Sequence, residues 1–281
     1  MINTDLSFDE YRAIEAINAS SIKKGRKSPL HMHDYVVHGT PDNEGLRKGR
    51  LAHAWTLEYD NRFERIAIYE GATSGKGSQT ELKEFKLANE GMDIIKPAEI
   101  LNLDAMREAV QENKEAKRIL DEAAAEVTLQ WKGNFGNAKG RLDKMGADYI
   151  ADYKTVAPSF LSTDENVFAR NALKMGIDLQ MGWYAKGFEA HFERWPRVAI
   201  IAQENKRPWS VAVYWMDDKW VHEGAEEAYE IANLYKACKI SDCYLGIQPL
   251  GAQVIYKPEW HGGDDDGEDV STGTAKEGET L

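Results

Sequence analysis

Apolar positions along this chain repeat with two periods, and the switch between them maps the predicted elements. In LNLDAMREAVQENKEAKRILDEAAA, Leu103, Met106, Val110, Ile119 and Leu120 follow the spacing of an amphipathic helix. FDEYRAIEAINASSIKKGRKSPLHMHDYV reads as helical in two pieces, with Asn18 or Ser20 as the N-cap between them. NEGLRKGRLAHAWTLE and ELKEFKLANEG predict further helices, separated by the Gly- and Ser-rich loop EGATSGKGSQT. The period then shortens to two, and EVTLQWKG, NAKGRLDKM and DYIADYKTV predict three consecutive strands. ENVFARNALKMGIDLQMGWYAKGFEAHF returns to the helical period, with Gly176 and Gly182 as weak points. RVAIIAQEN and WSVAVYWM predict a second hairpin, and KWVHEGAEEAYEIANLYKAC a closing helix. This order predicts an α/β fold, a mixed central sheet with an antiparallel hairpin flanked by helices.

Composition narrows the class. A chain of 281 residues with 42% apolar residues can bury a substantial core. It predicts a single domain over 1–262 with a helical N-terminal part, followed by a disordered acidic tail over 263–281. That tail, Gly-rich and without aromatics, holds seven acids from Asp264 onward against Lys276, so half of the net charge of −12 lies in it. The body is therefore only mildly acidic. The longest apolar run, VAIIA, is far short of a membrane span, and MINTDLSFDEYR lacks the apolar stretch of a secretory signal. Cys238 and Cys243 are too few for a four-thiolate metal site and read as reduced thiols, which points to a cytoplasmic protein.

The hairpin KGRLDKMGADYIADYKT carries the candidate chemistry. A two-residue turn at Gly146–Ala147 would oppose Asp143 to Ile150 and Arg141 to Asp152. Asp143, Asp152 and Lys154 would then share one face, with the two aspartates as diagonal neighbours about 7–8 Å apart. Two carboxylates on one face repel unless something positive lies between them. A lysine or arginine network would do this on a solvated strand. A hard cation does it better, because Mg²⁺ takes one or two carboxylates together with waters and phosphate oxygens.

The spacing of Asp143 and the triplet Asp152-Tyr153-Lys154 resembles the PD-(D/E)XK nuclease signature. Upstream, Gly49 to His53 matches the G-x-x-x-H helix of the RecB-like branch, and Gln180 to Tyr184 matches its Q-x-x-x-Y motif. Glutamine and tyrosine four apart share a helical face. The segment YRAIEAINASSIKKGRKSPLHMHDY and the core AEVTLQW, KGRLD and IADYKT are similar to the exonuclease VIII, or RecE-like, group, from about Phe8 to about residue 190. The resemblance implies a restriction-endonuclease-like core. It also implies Mg²⁺, with Mn²⁺ as a substitute, held by His53, Asp143, Asp152 and the Tyr153 carbonyl. Lys154 would stand beside the attacking water, Gln180 and Tyr184 would support the site, and Glu126 would lie near the metal. Lys132, Lys139 and Arg141 are candidates for phosphate contacts or for salt bridges. What the resemblance implies of activity is 5′ to 3′ degradation of double-stranded DNA from its ends, a ring-shaped homo-oligomer, and a RecT-like single-strand annealing partner. A nicking or structure-specific endonuclease of the same fold, and a catalytically idle recombination scaffold, are the alternatives.

Overall fold

The computed structural model describes residues 1–162, 164–247 and 252; the acidic tail expected over 263–281 lies outside them. Strand β1 (Ile2–Asn3) opens the chain, followed by α1 (Phe8–Ala13), α2 (Ala19–Gly25) and α3 (Pro29–His38). The two expected helical pieces are thus three. Asn18 caps α2 by accepting from the Ser21 N–H, and Ser28 caps α3 with Pro29 in its first turn. Next come α4 (Glu44–Leu57), capped by Asn43, then β2 (Ile66–Ile68), α5 (Lys76–Ala88) and β3 (Asp93–Ile95). The long amphipathic stretch divides into α6 (Pro97–Glu112) and α7 (Lys114–Asp121), because Asn113 ends one helix and caps the other.

The expected three strands are β4 (Ala124–Gly133), β5 (Gly136–Met145) and β6 (Tyr149–Val156). The helical run after them splits at Gly176 into α8 (Glu165–Met175) and α9 (Ile177–Phe192). Gly176 adopts φ 66°, a conformation that favours glycine. Strands β7 (Arg197–Glu204) and β8 (Val211–Trp215) and helix α10 (Asp218–Ser241) complete the order.

One six-stranded sheet runs β1-β4-β5-β6-β7-β8, and β2 pairs with β3 separately. All neighbours in the large sheet are antiparallel except β6 and β7, which pair in parallel from Tyr149↔Arg197 to Val156↔Glu204. A parallel pair needs a crossover, and α8 and α9 supply it. On one side Val127, Leu129, Ile150 and Ile200 pack with Leu179 and Trp183 of α9 and Ala228 of α10. Ala151, Tyr153 and Ile201 pack on the other with Trp55 of α4, Met106 of α6 and Ile119 of α7. The sheet is thus covered by helices on both sides, as a parallel pair requires.

The β5–β6 register differs from expectation. Pairing runs Met145↔Ile150 and Lys144↔Ala151 and then stops. The turn falls on Ala147 and Asp148, closed by the Gly146 N–H donating to the Tyr149 carbonyl. Extending this register by one residue places Asp143 opposite Asp152 rather than Ile150. There the strands part, and the Asp143 carboxylate accepts the Tyr153 N–H at 2.8 Å. A side chain has replaced a rung of the ladder.

Candidate active site

The fork between β5 and β6 is where two helices deliver polar groups from opposite sides. Helix α4 brings His53, whose Nε2 lies 3.1 Å from Asp143 Oδ1 and whose Nδ1 lies 3.5 Å from Glu126 Oε1. Helix α9 brings Gln180, whose Nε2 donates to Asp152 Oδ1 at 2.7 Å. Lys154 Nζ sits 2.6 Å from Asp152 Oδ2. Tyr184, one turn on from Gln180, lays its ring against Gly140 of β5, where an added Cβ would lie 2.9 Å from Cδ1. The site residues proposed from the sequence therefore cluster in space. One expectation changes: Asp143 turns toward α4 and the Tyr153 N–H, while Asp152 turns toward α9.

Charge at the fork is uneven. Burial opposes ionisation of Asp143, but His53, Lys154 and the Tyr153 N–H outweigh it and hold this carboxyl below its ordinary range. Asp152 is the reverse case, pushed up chiefly by burial, with Asp143 adding to the shift and Lys154 opposing it. Burial disfavours the Lys154 ammonium, yet Asp152 and Asp143 raise it, so it stays charged. The same contest leaves His53 raised to about 9: burial lowers it, and Asp143, then Glu126 and Glu58, win. Tyr184, raised mainly by burial, remains a neutral phenol.

Two residues join the site that spacing alone did not single out. Glu58, the C-cap of α4, comes within 4.8 Å of His53 and Glu126 through ligand-type atoms. Burial, then Glu126, raises its pKa. Lys23 of α2 donates to Gln180 Oε1 at 2.9 Å, and burial, then Lys154, lowers it to about 8. The signal for Glu58 was its place five residues after His53, but only the end of the helix at Leu57 turns it inward. Lys23 carried no signal in its surroundings.

The profile of PDDEXK-like domains of unknown function, DUF3799, matches residues 18–243. The chain belongs to this family. That match spans every site residue named above, and it makes the PD-(D/E)XK resemblance a finding. A solved structure of a candidate exonuclease from Eubacterium rectale aligns over 92% of this chain and 97% of its own, with 13% identity and a TM-score of 0.60. At that identity the likeness is one of fold. SSO0001, with 15% identity over 75% of this chain and 85% of its own, reaches a TM-score of only 0.26 and carries no weight. No curated protein matches.

Within the PDDEXK-like core, two of the expected phosphate-binding candidates have other duties. Lys139 Nζ donates to the carbonyls of Tyr11, Arg12 and Ile14, tying α1 to β5. Arg141 pairs with Glu126 and donates to the Leu6 carbonyl at 2.8 Å. Lys132 is exposed. Glu126 itself holds φ 55° in β4, a left-handed conformation uncommon for a glutamate and costing about 1–3 kcal/mol. Cys238 is buried and Cys243 exposed, both free thiols as expected. Among the described residues, no helix is long and apolar enough to cross a membrane.

Proposed function

We propose that this protein is a metal-dependent deoxyribonuclease hydrolysing phosphodiester bonds of linear duplex DNA from its ends, 5′ to 3′, in RecE-like recombination processing. The observation that carries the reading is the gathering of carboxylates on His53: Asp143 Oδ1 lies 3.1 Å from its Nε2, and ligand-type atoms of His53, Glu58 and Glu126 lie within 4.8 Å of one another. The nearby oxygens Glu58 Oε2, Glu126 Oε1 and Asp152 Oδ2 are buried beside cationic nitrogens, of Arg65 at 3.2 Å, His53 at 3.5 Å and Lys154 at 2.6 Å. Gathering this many buried carboxylates is expensive unless positive charge offsets them. The residues present therefore fit a divalent ion. Asp143, Asp152, His53 and the Tyr153 carbonyl would hold it, with Glu126 and Glu58 beside them, and the mostly oxygen donors suit Mg²⁺ or Mn²⁺. When bound, such an ion polarises the scissile phosphate and lowers the pKa of a bound water.

The chain's own groups do the rest. Lys154, kept charged by the two aspartates, offsets the negative charge that develops as phosphorus is attacked. Gln180 occupies Asp152 Oδ1 and leaves Oδ2 facing Lys154. Asp143, fixed by the Tyr153 N–H, keeps one oxygen toward His53. The Eubacterium rectale protein is described as a candidate exonuclease, and action at DNA ends is carried over from that description and from the RecE-like resemblance. The ring-shaped assembly and the RecT-like partner rest on the resemblance to the RecE-like group.

Two variants test the reading. Asp152→Asn keeps size but removes a charge, and should lose Mg²⁺ affinity in calorimetry and DNA cleavage together. Lys154→Ala should keep Mg²⁺ affinity and lose the chemical step by about 10²–10³-fold. If the site were only a salt-bridged hairpin, Asp152→Asn would lower the melting temperature of a protein that neither binds Mg²⁺ nor cuts DNA.

A further inference from the structure

Helix α2 lies outside the motifs that mark the site, yet it sends one side chain into it. Lys23 Nζ donates to Gln180 Oε1 at 2.9 Å, and the other end of the same amide donates to Asp152 Oδ1 at 2.7 Å. An amide presents an acceptor at one end and donors at the other, whereas a lysine ammonium only donates and a carboxylate only accepts. Between Lys23 and Asp152 the Gln180 amide thus has one favourable orientation. Flipping it would set oxygen against oxygen at Asp152 and donor against donor at Lys23. Lys23 supplies the charged donor at the Oε1 end, and Tyr184 is a further side-chain neighbour of the same amide.

Lys23 is itself held in place. Gly176, at the α8–α9 junction, leaves the room its stem needs, since a Cβ there would meet Lys23 Cγ and Cδ at 3.0 Å. Three residues on, Arg26 pairs with Asp178 of α9 at 2.6 Å and with Glu227 of α10 at 2.7 Å. Helix α2 is therefore clamped to the helix that carries Gln180.

We infer that Lys23 is a positioning residue of the metal site, which locks the Gln180 amide on Asp152 Oδ1 so that Oδ2 is left to Lys154 and the cation. This rests on the nuclease reading above and adds α2 to the machinery. On this inference Lys23 acts through Gln180.

A double-mutant cycle of Lys23→Met, Gln180→Ala and the double variant in the full-length protein tests it. The measurements are Mg²⁺ affinity by calorimetry, melting temperature, and the side-chain amide resonances of Gln180 in the metal-free protein. Lys23→Met should weaken Mg²⁺ binding about 10–100-fold, the usual loss when a group orienting a metal ligand is removed. The folded protein should persist, and the Gln180 amide resonances should shift or broaden. In the Gln180→Ala background the same change should alter Mg²⁺ affinity less than about twofold, because coupled residues are not additive. Losses that simply add in the double variant would overturn the inference. So would an unmoved Gln180 resonance, or a Lys23→Met that changes the salt dependence of DNA binding with Mg²⁺ affinity intact. A wild-type protein without Mg²⁺ binding or cleavage is the separate failure of the nuclease reading; a wild type that does both, beside an unaffected Lys23→Met, is the failure of this inference alone.

Discussion

His53 stands between Asp143 and Glu126, so its charge governs how the metal-free protein responds to pH. Its folded pKa of about 9 lies above the ordinary 6.5. A raised pKa contributes stability that is fully present below 6.5 and fades as pH climbs through 9. In chelator, His53→Gln should therefore melt below wild type at pH 6, and the gap should shrink by pH 9.5. A gap that is the same at both pH values would mean that the imidazole packs there without carrying charge. At this scale the sequence was readable wherever fixed spacing encodes a shared position: Asp143, Asp152 and Lys154 on paired strands, Gln180 and Tyr184 one helical turn apart. Glu58 and Lys23 were not readable, because each reaches the site through tertiary geometry. A helix end turns Glu58 inward, and the clamp at Arg26 holds α2, with Lys23, against α9. For Lys139 and Arg141 the sequence left phosphate contact and salt bridge equally open, because a positive charge in sequence does not reveal which carbonyls and carboxylates will claim it.

Helices α9 and α10 cross without room for a side chain between them. A Cβ added to Gly182 would lie 2.3 Å from the Ala225 nitrogen, and one added to Gly224 would lie 2.4 Å from the Asp178 carbonyl oxygen. Gly182 reads in sequence as a weak point of a helix; in the fold it is the price of a close backbone approach. Gly182→Ala should force α9 off α10, cost about 1–3 kcal/mol in denaturant unfolding, and lower activity by moving Gln180 relative to Asp152. Gly77→Ala on α5, where a Cβ meets nothing within 4 Å, should leave stability unchanged or slightly raised. Equal effects of the two would contradict the packing argument. Element types were legible from periodicity, and the breaks at Ser28, Asn113 and Gly176 follow capping rules that a long amphipathic pattern masks. The β5–β6 register was legible only up to the choice of turn residues, which moved the turn by one position and set the aspartates opposite each other.

At the scale of the molecule, the two-sided packing of a mixed sheet followed from the order of elements. The parallel β6–β7 pair and the added strand β1 did not, since neither leaves a local pattern: β1 is two residues long and is held by Ile2↔Leu129 and by the N-terminal amine on the Gln130 carbonyl. The chain is acidic, and Lys139 and Arg141 near the site are spent on internal contacts. On the nuclease reading proposed above, the cation and Lys154 would supply phosphate attraction at the site, which would let an acidic protein act on DNA once the metal is bound. The most direct test is to incubate the wild-type protein with duplex DNA labelled at the 5′ or the 3′ end, beside a covalently closed circle, in Mg²⁺ and in chelator. The account predicts that linear DNA is degraded in Mg²⁺ alone, with early release of the 5′ label, and that the circle survives. Degradation that persists in chelator, a circle that is cut, or linear DNA left intact in Mg²⁺ would contradict it.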